Sequence, residues 1–239
     1  MRKFLIPAIG VLALVAVEVA PTIAQDSPQT TLTVTPTVSP NKAGTKKKPQ
    51  GVKLNVKMHF ETPGDLEKPI FQTGVVFFPK GSLYNGAKYP KCTEAKLNNG
   101  GLAACPKDSI MGKGTGDAFA DTVITHPDIT VVNGGGNKVL FWTILTNPAR
   151  VQKTVVGNIT KQTGKYAYKL TFTVPKALQI VAGVPISVRD LSVTAGGKAK
   201  AKDWLATTSC PANKKWPFSV TASLSTGATV EFADTVACK

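Results

Sequence analysis

The sequence predicts an all-β protein, an antiparallel β-sandwich of immunoglobulin-like type. Three observations lead there. Short apolar runs alternate with polar residues at a period of two. Gly, Pro and Asn turns separate them at regular intervals, and a helical period is almost absent. A set of landmarks also recurs. Phe119-Ala120-Asp121-Thr122-Val123 returns, residue for residue, as Phe232-Ala233-Asp234-Thr235-Val236. Each copy follows a Cys-Pro step, Cys105-Pro106 or Cys210-Pro211, and each step follows an apolar run ending in Pro-Lys, Pro79-Lys80 or Pro175-Lys176. The repetition predicts two related β halves, 51–132 and 133–239.

Arg2 and Lys3 precede an apolar run from Phe4 to Val17, and Thr22-Ile23-Ala24 ends it with small residues. That is the layout of a secretory signal peptide over 1–24, cleaved after Ala24. The run is shorter than the ~20 residues a bilayer span needs. No Cys follows the site, which argues against a lipid anchor, and no other segment is apolar for long enough to span. Residues 25–50 are dominated by Thr, Ser, Pro and Lys. Such a stretch buries too little apolar surface to offset its ordering entropy, so a disordered linker is expected there.

The strands follow in order. Val52, Leu54, Val56, Met58 and Phe60 alternate with Lys53, Asn55, Lys57 and His59, a half-buried strand. Pro63-Gly64-Asp65 turns the chain toward a second strand, Ile70 to Phe78. Leu83 to Ile110 is a long connection. Within it Thr93 reads as the N-cap of a short helix that Gly100-Gly101 would stop. Gly112-Lys113-Gly114-Thr115-Gly116 has the wrong spacing for a phosphate loop and is expected to be a turn or bulge, with a strand from Thr115 to Val123. A short strand over Ile129 to Val132 leads to a flexible turn, Asn133 to Asn137. Val139 to Leu145 is apolar on both faces and predicts a central strand. Val151 to Thr160 and Lys165 to Val174 form a hairpin. Further strands are expected at Pro185 to Thr194, Trp204 to Thr208, Phe218 to Leu224 and Ala228 to Val236.

The formal charge is +15, and apart from Arg2, Arg150 and Arg189 every cation is Lys. Nucleic-acid readers lean on Arg for its planar fork, so specific nucleic-acid binding is not expected. A lysine-rich surface suits solubility, and it suits loose attraction to anionic cell-envelope polymers or polysaccharide. All four cysteines, Cys92, Cys105, Cys210 and Cys238, follow the signal peptide, which argues for disulfides. Four cysteines allow three pairings. Cys92–Cys105 and Cys210–Cys238 are chosen because each closes a loop inside one half. Paired Cys-x-x-Cys spacing is absent and only two His are present, so no metal site and no cofactor are expected.

Chemistry-bearing residues are sparse. His59 falls on the polar face of a strand and His126 in a turn, and neither belongs to a hydrolase motif. In the two pentapeptide copies, Asp121 and Asp234 fall on the same side as their apolar neighbours and are candidate buried carboxylates. Tyr84, Tyr89 and Trp216 are candidate ligand-stacking aromatics, with Trp216 the most accessible of them or packed on a disulfide. No catalytic residue is assigned.

The run Phe78-Pro79-Lys80-Gly81, Pro90-Lys91-Cys92, Cys105-Pro106-Lys107-Asp108-Ser109 and Gly112 to Gly116 resembles a family of secreted actinobacterial proteins. The Asn133 to Lys138 turn and the Lys161 to Tyr168 hairpin are similar to it as well. The resemblance covers most of the chain after the signal peptide, but it is carried by framework Cys, Gly and Pro. It implies export and an envelope setting, and it transfers no site residue. The expectation is a secreted, disulfide-stapled binding or structural module at the cell envelope or outside the cell. The alternative is a carboxylate-dependent polysaccharide hydrolase.

Overall fold

The computed structural model describes residues 29–64 and 66–239. The expected signal peptide, 1–24, lies outside the described residues, as do residues 25–28 of the expected linker. In chain order the elements are β1 (Thr31–Ser39), β2 (Gln50–Gly51), β3 (Lys53–Glu61), β4 (Phe71–Pro79), β5 (Ser82–Tyr84), α1 (Glu94–Gly100), β6 (Ile110–Ala120), β7 (Val123–Thr125) and β8 (Asp128–Asn133). There follow β9 (Lys138–Leu145), β10 (Val151–Lys161), β11 (Tyr166–Thr173), α2 (Lys176–Gln179), β12 (Ile180–Val181), β13 (Val184–Gly196), β14 (Leu205–Thr207), β15 (Lys215–Leu224) and β16 (Thr229–Ala237). The protein is all-β, with every strand pair antiparallel.

The main sheet runs β1-β3-β13-β6-β8-β9-β10-β11-β4-β15-β16, with β12 and β7 as short attachments, and a small sheet β2-β14-β5 sits beside it. The sheet curls until its two edges, β1 and β16, lie against each other, a near-closed barrel. Eleven alternating strands form that path, so the first and last run in the same direction. The seam is therefore not an antiparallel ladder. Just past it the backbone bonds Ala43 N to Lys239 O (3.1 Å) and Lys239 N to Asn41 O (2.7 Å) tie the ends together.

Period-two alternation carries the fold. Along β15, Trp216, Phe218, Val220, Ala222 and Leu224 are buried and alternate with half-exposed neighbours. β9 is apolar on both faces for a visible reason. Val139 and Leu145 face the interior, whereas Leu140 and Trp142 pack outward under α1 with Leu97 and the Cys92–Cys105 bridge. Thr93 caps α1 as expected, accepting from Lys96 N at 3.3 Å. The expected disulfides, Cys92–Cys105 and Cys210–Cys238, are both formed.

Several expectations are corrected. The linker over 25–50 is not without structure, because Thr31–Ser39 forms β1, paired with β3 from Thr31↔Glu61 to Ser39↔Lys53. Its Leu32, Val34 and Pro36 are buried, and the alternating threonines are β-branched strand formers on the outer face. Pro36 is tolerated because β1 is an edge strand. The boundary at 132/133 does not divide the sheet either. β4 pairs with β11 and β15, and β13 with β3 and β6, so strands of both proposed halves interleave in one sheet rather than in two separate ones. Gly112 to Gly116 does not turn the chain but runs through the middle of β6, and of the expected turn or bulge it is the bulge that is present, as a register shift between Ile110 and Gly112. A Cβ at Gly112 would collide with the carbonyl oxygen of Thr194 on β13, so glycine permits a close strand approach there.

The twin pentapeptides also take different structures. Phe232 to Val236 lies wholly within β16. Phe119 and Ala120 end β6, Asp121 and Thr122 turn, and Val123 begins β7. Asp121 has φ +58°. Both Asp121 and Asp234 are exposed, so neither is a buried carboxylate. The strand face continues through Asp234 but not through Asp121, because the chain reverses there. This divergence predicts opposite effects of one substitution. Asp121→Gly should be neutral or stabilising by up to about 1 kcal/mol, because glycine adopts positive φ without steric cost. Asp234→Gly should destabilise by roughly 0.5–1 kcal/mol. Urea denaturation of both variants checks this, and equal effects would refute the structural difference.

Candidate functional site

Strand direction gives the barrel two unlike ends. The segments 40–52, 80–109, 134–138, 161–165, 197–215 and 238–239 gather at one end, which holds both disulfides. These segments contain eighteen lysines against three acids, Glu94, Asp108 and Asp203. All eighteen lysines are exposed. Among the described residues only Lys88, 3.9 Å from Asp203, and Lys200, 3.6 Å from Asp108, come within ion-pairing distance of a carboxylate. The opposite end, 62–64, 66–70, 121–127, 146–150, 174–183 and 225–228, has among its described residues Lys68, Arg150 and Lys176, close to balanced by Glu67 and Asp121. The positive charge is thus concentrated on one pole, and sequence alone did not reveal it because its lysines come from six separate segments.

What orders this pole is a buried amide. Asn133, fully buried at the end of β8, donates from Nδ2 to the carbonyls of Gly86 (2.9 Å), Tyr89 (3.2 Å) and Pro90 (3.0 Å). Its Oδ1 accepts from Tyr84 Oη and from Trp204 Nε1, each at 3.1 Å, and from Gly135 N at 3.3 Å. Asn133 does not start a flexible turn but is the hub that ties the 84–91 loop and the β8–β9 turn to Trp204, the residue before β14.

The three candidate aromatics serve this framework. Tyr84 is half-buried and stacks edge-on to Trp204 at 5.3 Å, and its single hydroxyl hydrogen is shared among Lys138 O (2.6 Å), Gly135 O (2.8 Å) and Asn133 Oδ1 (3.1 Å). Burial pushes its hydroxyl pKa well above the usual phenol value. Tyr89 donates to Asp203. Trp216 is 1% exposed and packs against Cys238 and Phe218, with Nε1 donating to Ser209 O at 3.1 Å. It is not accessible for stacking on a ligand.

Both histidines belong to a second constellation, on the outer face of β3, β13 and β6. Val188 pairs with Ala118 and Asp190 with Asp117, so Arg189 is the extra residue of a β-bulge. A bulge re-aims the side chain it carries. Arg189 donates from Nη2 to Asp117 Oδ2 (2.6 Å) and from Nε to Asp190 Oδ2 (2.7 Å). His59 Nδ1 lies 2.7 Å from Asp190 Oδ1 and His126 Nδ1 lies 2.8 Å from Asp117 Oδ1. The five side chains clamp three strands. No serine, threonine or cysteine side chain bonds either imidazole among the described residues, so the parts of a nucleophilic relay are not assembled. No group of three or more metal-ligating side chains occurs among the described residues. Asp121 lies in the β6–β7 turn and Asp234 on β16, which pairs with neither β6 nor β7, so the two do not form a carboxylate pair for glycoside hydrolysis.

No protein-family model matches the chain, and neither a curated protein nor a solved structure matches it.

Two outcomes follow from this geometry. Asn133→Ala should cost about 3 kcal/mol or more, since it strands several partly buried groups at once, and thermal unfolding measures it. A loss under 1 kcal/mol would show that the hub is dispensable. For Asp190, burial raises the pKa, but hydrogen bonds from His59 and Arg189 outweigh it and hold the carboxyl below its usual value. Its contribution is therefore full above the unfolded pKa near 4 and disappears as pH falls through the lower folded value. Asp190→Asn should cost up to about 1 kcal/mol at pH 7, given its exposure, and progressively less as pH falls below about 4. A penalty independent of pH would mean that the clamp is not electrostatic.

Proposed function

We propose that the protein is a secreted binding module that docks by its lysine pole on an anionic polymer of the cell envelope. The observation that carries this reading is the charge polarity: eighteen exposed lysines on one end of the barrel, against a nearly balanced opposite end. Clustered charge of one sign raises the local concentration of an oppositely charged polymer. The pole is also held in place by two disulfides and by the Asn133 hub, so less of its order has to be gained on binding. Disulfides persist in oxidising compartments, which is consistent with an extracellular setting. The leader-like 1–24 segment and the resemblance to secreted actinobacterial proteins point the same way. No helix among the described residues is long and apolar enough to cross a membrane.

Ammonium groups spread over many loops favour a flexible polyanion, bearing phosphodiesters or carboxylates, over a single small ligand. The test is retention of residues 25–239 on isolated bacterial cell walls and on an immobilised polyphosphodiester, at several salt concentrations. Retention should fall steeply as salt approaches 1 M, where the screening length is only about 3 Å. The triple variant Lys198→Glu, Lys200→Glu, Lys202→Glu should weaken it about tenfold or more. Lys57→Glu, Lys113→Glu, Lys153→Glu, with the same charge change on the barrel wall, should weaken it less. Equal loss in the two variants would reduce the interaction to net charge and sink the pole as a site.

A further inference from the structure

We propose that the barrel interior is a binding site for one linear aliphatic chain, an alcohol, acid or ester of the lipid type. The inference is independent of the lysine pole. It begins with strand number. An eight-stranded barrel is just filled by its own side chains, and wider barrels enclose space. Here eleven strands surround the interior, and a cavity of ≈ 250 Å³ remains inside. Engineered apolar cavities of about 150 Å³ stay dry and take up small hydrocarbons.

The lining fits the ligand. It extends from Trp204 and Trp216 at the disulfide pole to Leu178 and Ile186 at the opposite end, along the barrel rather than across it. Nearly every lining side chain is aliphatic or aromatic. An elongated apolar tube favours a chain over a compact ring.

Two observations place the polar end of the ligand and its entry away from the disulfides. Thr125, on β7, pairs with Ala118, which lines the cavity. Cross-strand partners share a face, so Thr125 stands on the same face of the sheet as Ala118, next to the cavity lining. It is 1% exposed, and its Oγ1 has no hydrogen-bond partner among the described residues. A buried hydroxyl without a partner is a liability that a ligand's own polar group removes. The same end carries the exposed large hydrophobics Leu66, Val123, Ile124 and Ile180. They stand on three neighbouring segments. Val123 pairs with Ala120, Ala120 pairs with Ile186 beside the Ile180–Pro185 pair, and Ser187 Oγ bonds Lys68 O at 2.6 Å in the loop that carries Leu66. An apolar rim around the end without excess charge lowers the barrier for an aliphatic chain leaving an aggregate or membrane.

The test uses residues 25–239 with 1-dodecanol and dodecane, both uncharged, so that the lysines contribute nothing. Calorimetry should show saturable one-to-one binding of each, and the melting temperature should rise with ligand concentration. Val193→Trp fills the middle of the tube and should weaken both by tenfold or more, with far-UV circular dichroism unchanged. Thr125→Val should weaken dodecanol about fivefold and leave dodecane unaffected, the effect of one hydrogen bond. If neither ligand binds or raises the melting temperature of the unaltered chain, the proposal fails. It fails equally if a folded Val193→Trp binds both as before, which would put the ligand on the outer rim. Should Val193→Trp not fold, the melting shift with dodecane decides alone.

Discussion

The buried amide of Asn133 is the contact on which the charged end of this molecule depends. The loops between β5 and α1 have little core of their own, and they carry Lys88 and Lys91. Their backbone carbonyls have to be satisfied somewhere. One side chain does this for Gly86, Tyr89 and Pro90 while its oxygen gathers Tyr84, Gly135 and Trp204. A fully satisfied polar network in a low-dielectric site is rigid, since each partner polarises the next. Mutually repelling lysines need such a support, because repulsion alone would spread the loops that hold them.

Support and charge therefore coincide in space. Disulfides, hub and lysines share one end, whereas the other is joined by short turns, bears nearly balanced charge and exposes aliphatic side chains. Between the ends the wall is tied across its outer face by the Arg189 bulge with its two carboxylates and two imidazoles. An exposed clamp of that kind contributes modestly to stability. Its effect is to fix the register of three strands where the ladder is interrupted.

The sequence made the strands legible because period two survives wherever one face is wet, as in β3 and β15. The cysteine pairing was legible because both bridges close local loops. Where the fold departs from the sequence pattern, long-range pairing outweighs composition and local identity. Thr31–Ser39 resembled a linker in its Thr and Pro content, yet its partner β3 offers an apolar face for Leu32 and Val34. The same five residues, Phe-Ala-Asp-Thr-Val, turn in one place and extend in another, because β15 pairs with all five residues of the second copy whereas the first copy folds back on itself. Asn133 was hidden by its neighbourhood of glycines, and the lysine pole by its dispersion along the chain. Each is a product of long-range pairing.

The parallel seam between β1 and β16 has a further consequence, for the order of assembly. The first and last described strands are the two edges that meet. Every shorter piece of the chain leaves the wall open, with unsatisfied edge groups along the gap. Contacts so far apart in sequence are slow to form. Closure of the wall thus rests on the contacts most distant in sequence. The last described strand, tied by Cys238 to Cys210, is the latch of the wall.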